Sequence, residues 1–367
     1  MAVQAVFKHL AGCWWMPDGV RQGYERLDAL SPVTVGPRAA LPVASPGTMP
    51  EAPRGRLRRL AEELEESGLR LEGPQEYREM LLQEIDAALR PPVHERRVAS
   101  SGTVLDPRAE PATWEAGAQL RISRGSVEKQ PLPAARRFAD GLSSWLLRRT
   151  DGADEWMVFD RPAGSERDLV VLADVFQATI IQRGPSGSVR VVGAFGVLRW
   201  QGLAWHHEPP IASWIDTVTA SPDHGDSEVL EALLEFAVHD LGSRGIGSLL
   251  IYRSDSSPGP PVEERLPTPP RLRIRKASHL APLRHALAHV AGAAVFDAEG
   301  VLRQLGVRLV PSSTAEETVE AFRGTRHTSG RRYSFDDPLA TVIAVSEDGP
   351  VSVLRNGAVL GRSPDCD

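Results

Sequence analysis

Residues 324–360 read GTRHTSGRRYSFDDPLATVIAVSEDGPVSVLRNGAVL. The pattern predicts a Gly-Thr-Arg-His loop, a helix, an apolar strand over 340–345, a turn at Asp348-Gly349 and another strand. Because the strands themselves are largely apolar, the polar residues of this stretch concentrate where the strands end.

The loop at the start of this stretch has the chemistry of a phosphate site. Gly324 lets the backbone approach a ligand closely, Thr325 offers a hydroxyl, and Arg326 can chelate a phosphate group. The N-terminus of the helix that follows favours an anion. The motif is short, so it is weak on its own and needs support from the rest of the chain.

The segment 226–361 around this loop predicts an α/β domain with a mixed central sheet flanked by helices. Asp226 and Ser227 can cap its first helix, and the apolar residues that follow recur at three- and four-residue spacing. In chain order the predicted elements are a helix over 228–241, strands at 247–252 and 272–274, a helix at 281–290, strands at 293–296 and 301–310, and a helix capped by Ser313 and Glu316.

Five landmarks in this order resemble the diadenylate-cyclase (DAC) domain family, which includes the nucleotide-binding domain of DNA-integrity scanning proteins. The family shows an initial helix, a Gly-Ala-Leu-Ile-like strand, an Asp-Gly-Ala strand start, a Gly-Thr-Arg-His-Arg loop and a Ser-Glu-Glu turn. The counterparts here are residues 228–241, residues 247–251, Ala291-Gly292-Ala293, residues 324–328 and Ser346-Glu347-Asp348. The resemblance covers somewhat over a third of the chain.

The resemblance implies that this segment binds an adenine nucleotide, either ATP or cyclic di-AMP. In the family, two domains face one another, and the 3'-hydroxyl of each ATP attacks the α-phosphate of the other to give cyclic di-AMP and pyrophosphate. An active protein would therefore be a nucleotidyltransferase that works as a homodimer or higher oligomer with Mg²⁺ or Mn²⁺. The implied nucleotide- or phosphate-binding residues are Gly292, Ala293, Gly324, Thr325, Arg326, His327, Thr328, Ser346 and Glu347.

Two departures from the family weaken the expectation of catalysis. Ala291 stands where the family has the Asp associated with metal chemistry, and a methyl group cannot ligate a metal or accept a proton. Of the two catalytic positions, Ala291 and His327, only His327 keeps a functional side chain, and the metal ligands remain unknown. Thr328 replaces the final Arg of the loop, although Arg331 and Arg332 lie one helical turn onward.

Asp297 is a candidate replacement for the missing Asp. Asp297 lies six residues after Ala291, which corresponds to about 20 Å along an extended strand. That spacing predicts that Asp297 lies near the opposite end of the strand, so it is a poor substitute.

These observations favour a DAC-like nucleotide-binding protein with weakened or absent cyclase activity, acting as a nucleotide sensor. The alternative is an active diadenylate cyclase whose metal is held by another carboxylate, or by phosphates and water. A second alternative, from a different class, is a structural interaction scaffold in which the old pocket is closed.

The chain before this segment is less informative. Residues 1–115 predict a proline-rich lead-in, two amphipathic helices within 54–90 and a linker over 91–115. Residues 132–218 predict a small α/β or β-rich module, with strands at 155–159, 178–182, 188–194 and 196–200. His206 and His207 predict a structural role, because adjacent residues on a strand point to opposite faces and no third metal ligand is evident.

Bulk composition excludes several classes of protein. With a net charge of −6 and nearly balanced charges in the DAC-like segment, the chain does not resemble a nucleic-acid-binding protein. No run approaches the ~20 apolar residues of a membrane span. Cys13 and Cys366 form no metal or disulfide motif, which favours a reducing, cytoplasmic location. The preference for arginine over lysine indicates a GC-rich bacterial genome rather than a function.

Overall fold

The computed structural model describes residues 54–94, 97–127, 130–220, 225–255, 257, 259–264, 266–322 and 324–363. The predicted proline-rich lead-in over 1–53 lies outside these residues, and so do Cys13 and Cys366. The first part of the chain contains α1 (Arg54–Glu66), α2 (Gln75–Leu89), β1 (Val93–His94), β2 (Arg97–Val98), β3 (Ser101–Leu105), α3 (Pro111–Ala118), β4 (Ile122–Ser126), α4 (Leu132–Ala135), β5 (Ser144–Arg148), β6 (Glu155–Phe159), α5 (Glu166–Phe176), β7 (Thr179–Arg183), β8 (Val189–Gly193), β9 (Gly196–Trp200), β10 (Trp205–Glu208) and α6 (Ala212–Val218).

Eight of these strands form the first sheet, in the order β10-β9-β8-β7-β3-β5-β6-β4. The sheet is mixed, because β3 pairs with β5 in parallel and with β7 in the antiparallel direction. Helices cover both faces: Ile180 packs into the core beneath α3 and α5, whereas its neighbour Ile181 packs into the core beneath α1 and α2. The first part of the chain is therefore an α/β structure built on a doubly covered sheet.

Residues 91–115 are not the linker that their prolines predict. They contain β3, which lies inside the first sheet between β7 and β5, and the start of α3. Pro111 occupies the first turn of α3, where the missing N–H has no helical partner to lose and the fixed φ angle suits a helix. Proline here marks the beginning of a helix rather than an irregular connection.

A second sheet is built from the rest of the chain. Its elements are α7 (Ser227–Glu235), β11 (Ser248–Arg253), β12 (Val262–Glu263), α8 (Ala277–His289), β13 (Ala293–Phe296), β14 (Leu302–Leu309), α9 (Ser313–Thr318), α10 (Thr325–Asp336), β15 (Ala340–Val345), β16 (Val351–Arg355) and β17 (Ala358–Arg362). A π-helical segment, Phe236–Leu241, continues α7 and passes into the 3₁₀ turn Gly242–Arg244.

The second sheet has the order β12-β14-β13-β11-β15-β16-β17. Strands β11 and β13 are parallel, and β15 runs antiparallel to β11, so the sheet is mixed. Leu250 and Tyr252 face the core that contains α7, the π-helical segment and α8, whereas Leu249 and Ile251 face the core that contains Tyr333 of α10. The predicted fold class, a mixed α/β sheet flanked by helices, is confirmed.

Two local predictions for this segment are wrong. The strand expected at 272–274 is reduced to a single bridge between Arg273 and Val301. The N-cap of α9 is Ser312, whose hydroxyl accepts from the N–H of Ala315, rather than Ser313. The second error is a small shift at an element boundary, where chain pattern is a weak guide.

A buried ion cluster joins the first sheet to the second. Glu166, the first residue of α5, accepts hydrogen bonds from Arg199 Nε and Nη2 at 2.8 and 2.6 Å and from His239 Nδ1 at 2.9 Å. Burial opposes the charged carboxylate, but the Arg199 guanidinium and the His239 hydrogen bond outweigh it and lower the pKa of Glu166 to about 2. Beside it, burial raises the pKa of Glu208, which accepts from the Ser363 hydroxyl at 3.1 Å.

Replacing Glu166 with Gln should make the stability difference from wild type depend on pH. The lowered pKa means that the contribution of the carboxylate is present above its unfolded value of 4.5 and is lost as pH falls toward about 2. Urea denaturation should show that Glu166→Gln costs about 3 kcal/mol at pH 7, with the difference shrinking between pH 4.5 and pH 3.

Glu155→Gln is the control, because Glu155 pairs with Arg124 in the outer strands β6 and β4. This substitution should cost no more than about 1 kcal/mol. A Glu166→Gln difference that stays constant from pH 7 to pH 3 would contradict the ionised cluster.

Candidate functional site

Strand direction brings the predicted site residues to one edge of the second sheet, which we call the motif edge. Gly247 precedes β11 and Gly292 precedes β13, and these two strands are parallel. Ser346 follows β15, which is antiparallel to β11 and pairs Val345 with Ser248. The starts of β11 and β13 and the end of β15 therefore lie at the same edge.

The three residues of the Ala291-Gly292-Ala293 start behave differently. Ala291 and Gly292 are exposed, whereas Ala293 is buried and pairs with Leu249. Gly292 has φ +116°, and a Cβ there would lie 2.6 Å from the carbonyl carbon of Gly306. Only glycine fits where the two backbones come so close. Ala291 is thus the one position of the three whose side chain reaches the surface, and it carries no polar atom.

The loop before α10 presents a helix N-terminus at the protein surface. Gly324 occupies the N-cap with φ +88°, a conformation that favours glycine, and has no side chain to cap the helix. A Cβ on Gly324 would meet no heavy atom of the described residues within 4 Å. Thr325 and Arg326 are exposed beside it, so the first turn of α10 is open to an anion.

His327 and Thr328 turn inward from this loop. His327 is buried and its ring packs edge-on against Phe322, with 5.9 Å between the centroids. The Thr328 hydroxyl accepts from the Phe322 N–H at 3.0 Å and lies 2.8 and 2.9 Å from the carbonyl oxygens of Phe322 and Gly324. Thr328 therefore holds the backbone that leads into α10.

Arg326 and Glu347 form an ion pair across the motif edge. Arg326 Nη2 donates to Glu347 Oε1 at 2.9 Å, and the side chains keep 44% and 71% of their surface exposed. A Cβ on Gly247 would clash with the Arg326 guanidinium and would lie 2.7 Å from Glu347 Cγ. Three of the five landmarks thus come into direct contact at Gly247.

The turn that carries Glu347 is closed by its own backbone. The Ser346 N–H donates to the Pro350 carbonyl at 2.9 Å, and the Gly349 N–H donates to the Ser346 carbonyl at 3.2 Å. Ser346 itself is half-buried. These bonds fix where the Glu347 side chain begins.

Three residues are candidate replacements for the Arg and Asp missing from the motif: Arg331, Arg332 and Asp297. All three bind other groups of the chain. Arg331 Nε donates to the Gly357 carbonyl at 2.6 Å, and Arg332 Nε donates to the Val319 carbonyl at 3.3 Å. Asp297 follows the far end of β13, where its carboxylate accepts from the Val301 N–H at 2.8 Å and pairs with Arg303. As its spacing predicts, Asp297 lies at the opposite edge from Ala291.

The donor set at the motif edge does not suit Mg²⁺ or Mn²⁺, which prefer several oxygen ligands. The Ala291 side chain offers no oxygen, and the one carboxylate among the predicted site residues, Glu347, is paired with Arg326. Throughout the described ranges, no group of three or more His, Cys, Asp or Glu side chains is placed to hold a metal ion. His207 Nε2 bonds to the Phe195 carbonyl at 2.8 Å, in keeping with a structural role.

Two open cavities, of about 520 and 650 Å³, lie beyond the other end of β11. None of the described residues that line them is a predicted site residue. Arg253 lines both, and its Nε donates to Asp337 at 2.8 Å. Burial raises the pKa of the neighbouring Tyr333 to about 12, and Asp337 adds to the shift. The remaining residues that line the smaller cavity are Asp255, Gly259, Pro260, Val262, Val295, Phe296, Asp297, Arg303 and Gln304.

The predicted motif does not include the residues that line these cavities, so the sequence pattern did not single them out. A signal for them did exist: Arg253 ends β11 and Asp297 follows β13. Clefts at the carboxyl ends of parallel strands are where open α/β sheets commonly bind ligands. The second sheet thus has two chemically distinct edges.

Comparison with known proteins gives a family match over the first sheet. Residues 58–208 match the family described as "Probable sensor domain DACNK". The match is less than half of the chain, and it runs from within α1 to the end of β10. It therefore spans the first sheet and the helices on its faces. No curated protein sequence matches the chain.

Solved structures were found at low similarity. A hypothetical membrane spanning protein from Bacillus cereus is 15% identical, with 39% of this chain and 74% of that chain covered and a TM-score of 0.29. A double mutant of DacA from Staphylococcus aureus is 18% identical, with 40% of this chain and 91% of that chain covered and a TM-score of 0.27. No helix among the described residues is long and apolar enough to cross a bilayer.

Substitutions at the motif edge should separate loop-holding from surface contacts. Thr328→Val leaves the Phe322 N–H without its hydroxyl partner and should lower the free energy of unfolding by about 1–3 kcal/mol. Glu347→Gln breaks an exposed ion pair and should cost no more than about 1 kcal/mol. Urea denaturation measures both, and equal costs would contradict the assigned roles.

Proposed function

We propose that the chain is a two-part regulatory protein in which residues 58–208 receive a signal and the DAC-like segment 226–361 binds an adenine nucleotide, ATP or cyclic di-AMP. Cyclase activity is weakened or absent. One observation carries the proposal: Arg326 and Glu347 meet at Gly247 beside an open helix N-terminus, while Ala291 offers no carboxylate at the same edge.

Phosphate chemistry at the motif edge supports a nucleotide as the ligand. Helix α10 is 12 residues long, and its dipole and unpaired N–H groups favour an anion at Gly324. Arg326 is exposed on the first turn of that helix, so its guanidinium can reach a phosphate group at the same place. The order of the five landmarks along the chain narrows the phosphate ligand to an adenine nucleotide.

The missing carboxylate at Ala291 argues against efficient catalysis. Attack of a 3'-hydroxyl on an α-phosphate needs charge neutralisation that divalent metal ions ordinarily supply. Loss of several kcal/mol of transition-state stabilisation slows a reaction about a thousandfold, at about 1.4 kcal/mol per decade. Binding requires only the phosphate contacts, so it survives a change that removes catalysis.

The sensor role is divided differently from the sequence-based hypothesis. That hypothesis made the DAC-like nucleotide-binding protein a nucleotide sensor. The family match supports a different assignment, because the description of a probable sensor domain falls on residues 58–208. In the proposed function the first sheet receives the signal, and nucleotide binding at the second sheet responds to it.

Calorimetric titration with ATP and with cyclic di-AMP tests binding at the motif edge. We expect saturable binding that Arg326→Ala weakens about ten- to hundredfold, the loss of one charge-assisted hydrogen-bonding group. Arg303→Ala is the matched control, because Arg303 is a half-exposed arginine that pairs with Asp297 at the opposite edge. Loss of affinity on Arg303→Ala alone would move the nucleotide to the cavity there, and no binding by wild type would favour the scaffold alternative.

Restoring the carboxylate tests the account of catalysis. Wild type incubated with ATP and Mn²⁺ or Mg²⁺ should form little or no cyclic di-AMP, whereas Ala291→Asp should raise the rate by about a thousandfold. Product is measured by chromatography at several protein concentrations, because two facing domains are needed. Clear production by wild type that Arg326→Ala abolishes would instead show an active cyclase.

A further inference from the structure

We propose that the π-helical segment Phe236–Leu241 is a relay through which α5 of the first sheet sets the position of the Glu347 turn, residues 346–349, at the motif edge. The inference rests on the proposed function of that edge and names how it is regulated. It stands on two sets of contacts, one at each side of the segment.

The input side is the first turn of α5. A capping box between Ser165 and Asp168 fixes this end of the helix, so its side chains have a defined direction. Arg167, the second residue of α5, donates to Glu235 at 2.5 Å and to Asp240 at 3.2 Å. Glu166 Oε1 accepts a hydrogen bond from His239 Nδ1 at 2.9 Å. The first turn of α5 therefore binds Glu235, the last residue of α7, and both polar residues of the π-helical segment, His239 and Asp240.

In the proposed relay, the segment is the element that changes register. All six of its residues are buried, and His239 and Asp240 are its polar members. A π turn holds one residue more than an α turn, and such turns are rare and commonly occur at functional sites. Conversion to α-helix would rotate the following residues by about 100°, the angle of one helical residue. The contacts of His239 and Asp240 with α5 hold the present register.

The first output contact joins the glycines that follow the π-helical segment to the Glu347 turn. The segment passes into Gly242–Arg244 and then Gly245, whose φ is +65°. A Cβ on Gly242 would lie 2.8 Å from the Gly349 carbonyl oxygen, and a Cβ on Gly245 would lie 2.8 Å from the Glu347 carbonyl oxygen. Backbones in such close contact cannot move independently. A change of register in the π-helical segment therefore displaces the turn that carries the partner of Arg326.

The second output contact reaches the Ala291 side of the motif edge. Asp240 Oδ1 accepts from Arg284 Nη1 at 3.0 Å, while Asp240 Oδ2 binds Arg167. Arg284 lies on α8, which ends at His289, two residues before Ala291. One buried carboxylate thus links α5 to the helix that leads into β13. The segment thus contacts the helix that leads to Ala291, and the glycines that follow the segment contact the Glu347 turn.

Hydrogen exchange of the full-length chain tests the relay without any nucleotide. Arg167→Met removes the bridge to Glu235 and Asp240 but keeps much of the side-chain volume. We expect amides in 235–247 and in the remote peptide 345–351 to exchange about threefold faster or more, with peptides of β4 and β6 unchanged. Acceleration confined to 165–170 and 234–241 would overturn the proposal, because the disturbance would then stop at the contact.

Two further variants sharpen the comparison. Arg124→Met is the matched control, because Arg124 is a similarly exposed arginine that pairs with Glu155 at the outer edge of the same sheet. It should leave 345–351 unchanged, and an equal acceleration there would show general destabilisation and overturn the relay. Gly245→Ala strains the output contact directly and should accelerate 345–351 while peptide 165–170 keeps its wild-type exchange. If Gly245→Ala fails to fold, Arg167→Met and Arg124→Met still decide.

The relay and the nucleotide site can fail separately. Acceleration at 345–351 in a protein that binds neither ATP nor cyclic di-AMP keeps the relay and removes the proposed ligand. Nucleotide binding lost in Arg326→Ala, together with unchanged exchange at 345–351 in Arg167→Met, keeps the ligand and removes the relay.

Discussion

The buried pairing of Glu166 with Arg199 and His239 is the constraint on which the arrangement of the two sheets depends. A carboxylate removed from water is costly unless it is paired and hydrogen-bonded, and Glu166 has partners on both sides of the contact between the sheets. Arg199 and Arg190 come from the first sheet and His239 from the π-helical segment beside the second. Separating the sheets would take the His239 hydrogen bond away from Glu166, which favours the observed placement.

The motif edge follows a different physical rule, that of close backbone approach. Gly247 lies under the Arg326–Glu347 pair, and Gly292 lies against Gly306. A methyl group on Gly292 would push the two backbones apart, whereas one on Gly247 would displace the exposed Arg326 and Glu347 side chains.

Sequence reasoning worked where pattern and chemistry are local. The apolar strand at 340–345 was placed correctly, because burial on both faces leaves a direct trace in residue type. The predicted Gly-Thr-Arg-His loop is wrong beyond Gly324, because α10 already begins at Thr325. Sequence-based prediction failed at 91–115. There the short buried strand β3 lies between prolines, and Pro111 begins α3. The two-sheet ion cluster was also invisible to it. Nothing in the spacing of Glu166 and His239 along the chain indicates that they meet.

The Arg326–Glu347 pair suggests how such a site could be regulated without a metal ion. A phosphate that approaches Arg326 competes with the Glu347 carboxylate for the same guanidinium. Affinity at the motif edge therefore depends on how firmly the turn at 346–349 holds Glu347 in place. That turn contacts Gly242 and Gly245, which continue the segment gripped by α5. In the proposed function, a signal at the first sheet need only move this turn slightly to change how much of the Arg326 charge is available to a nucleotide.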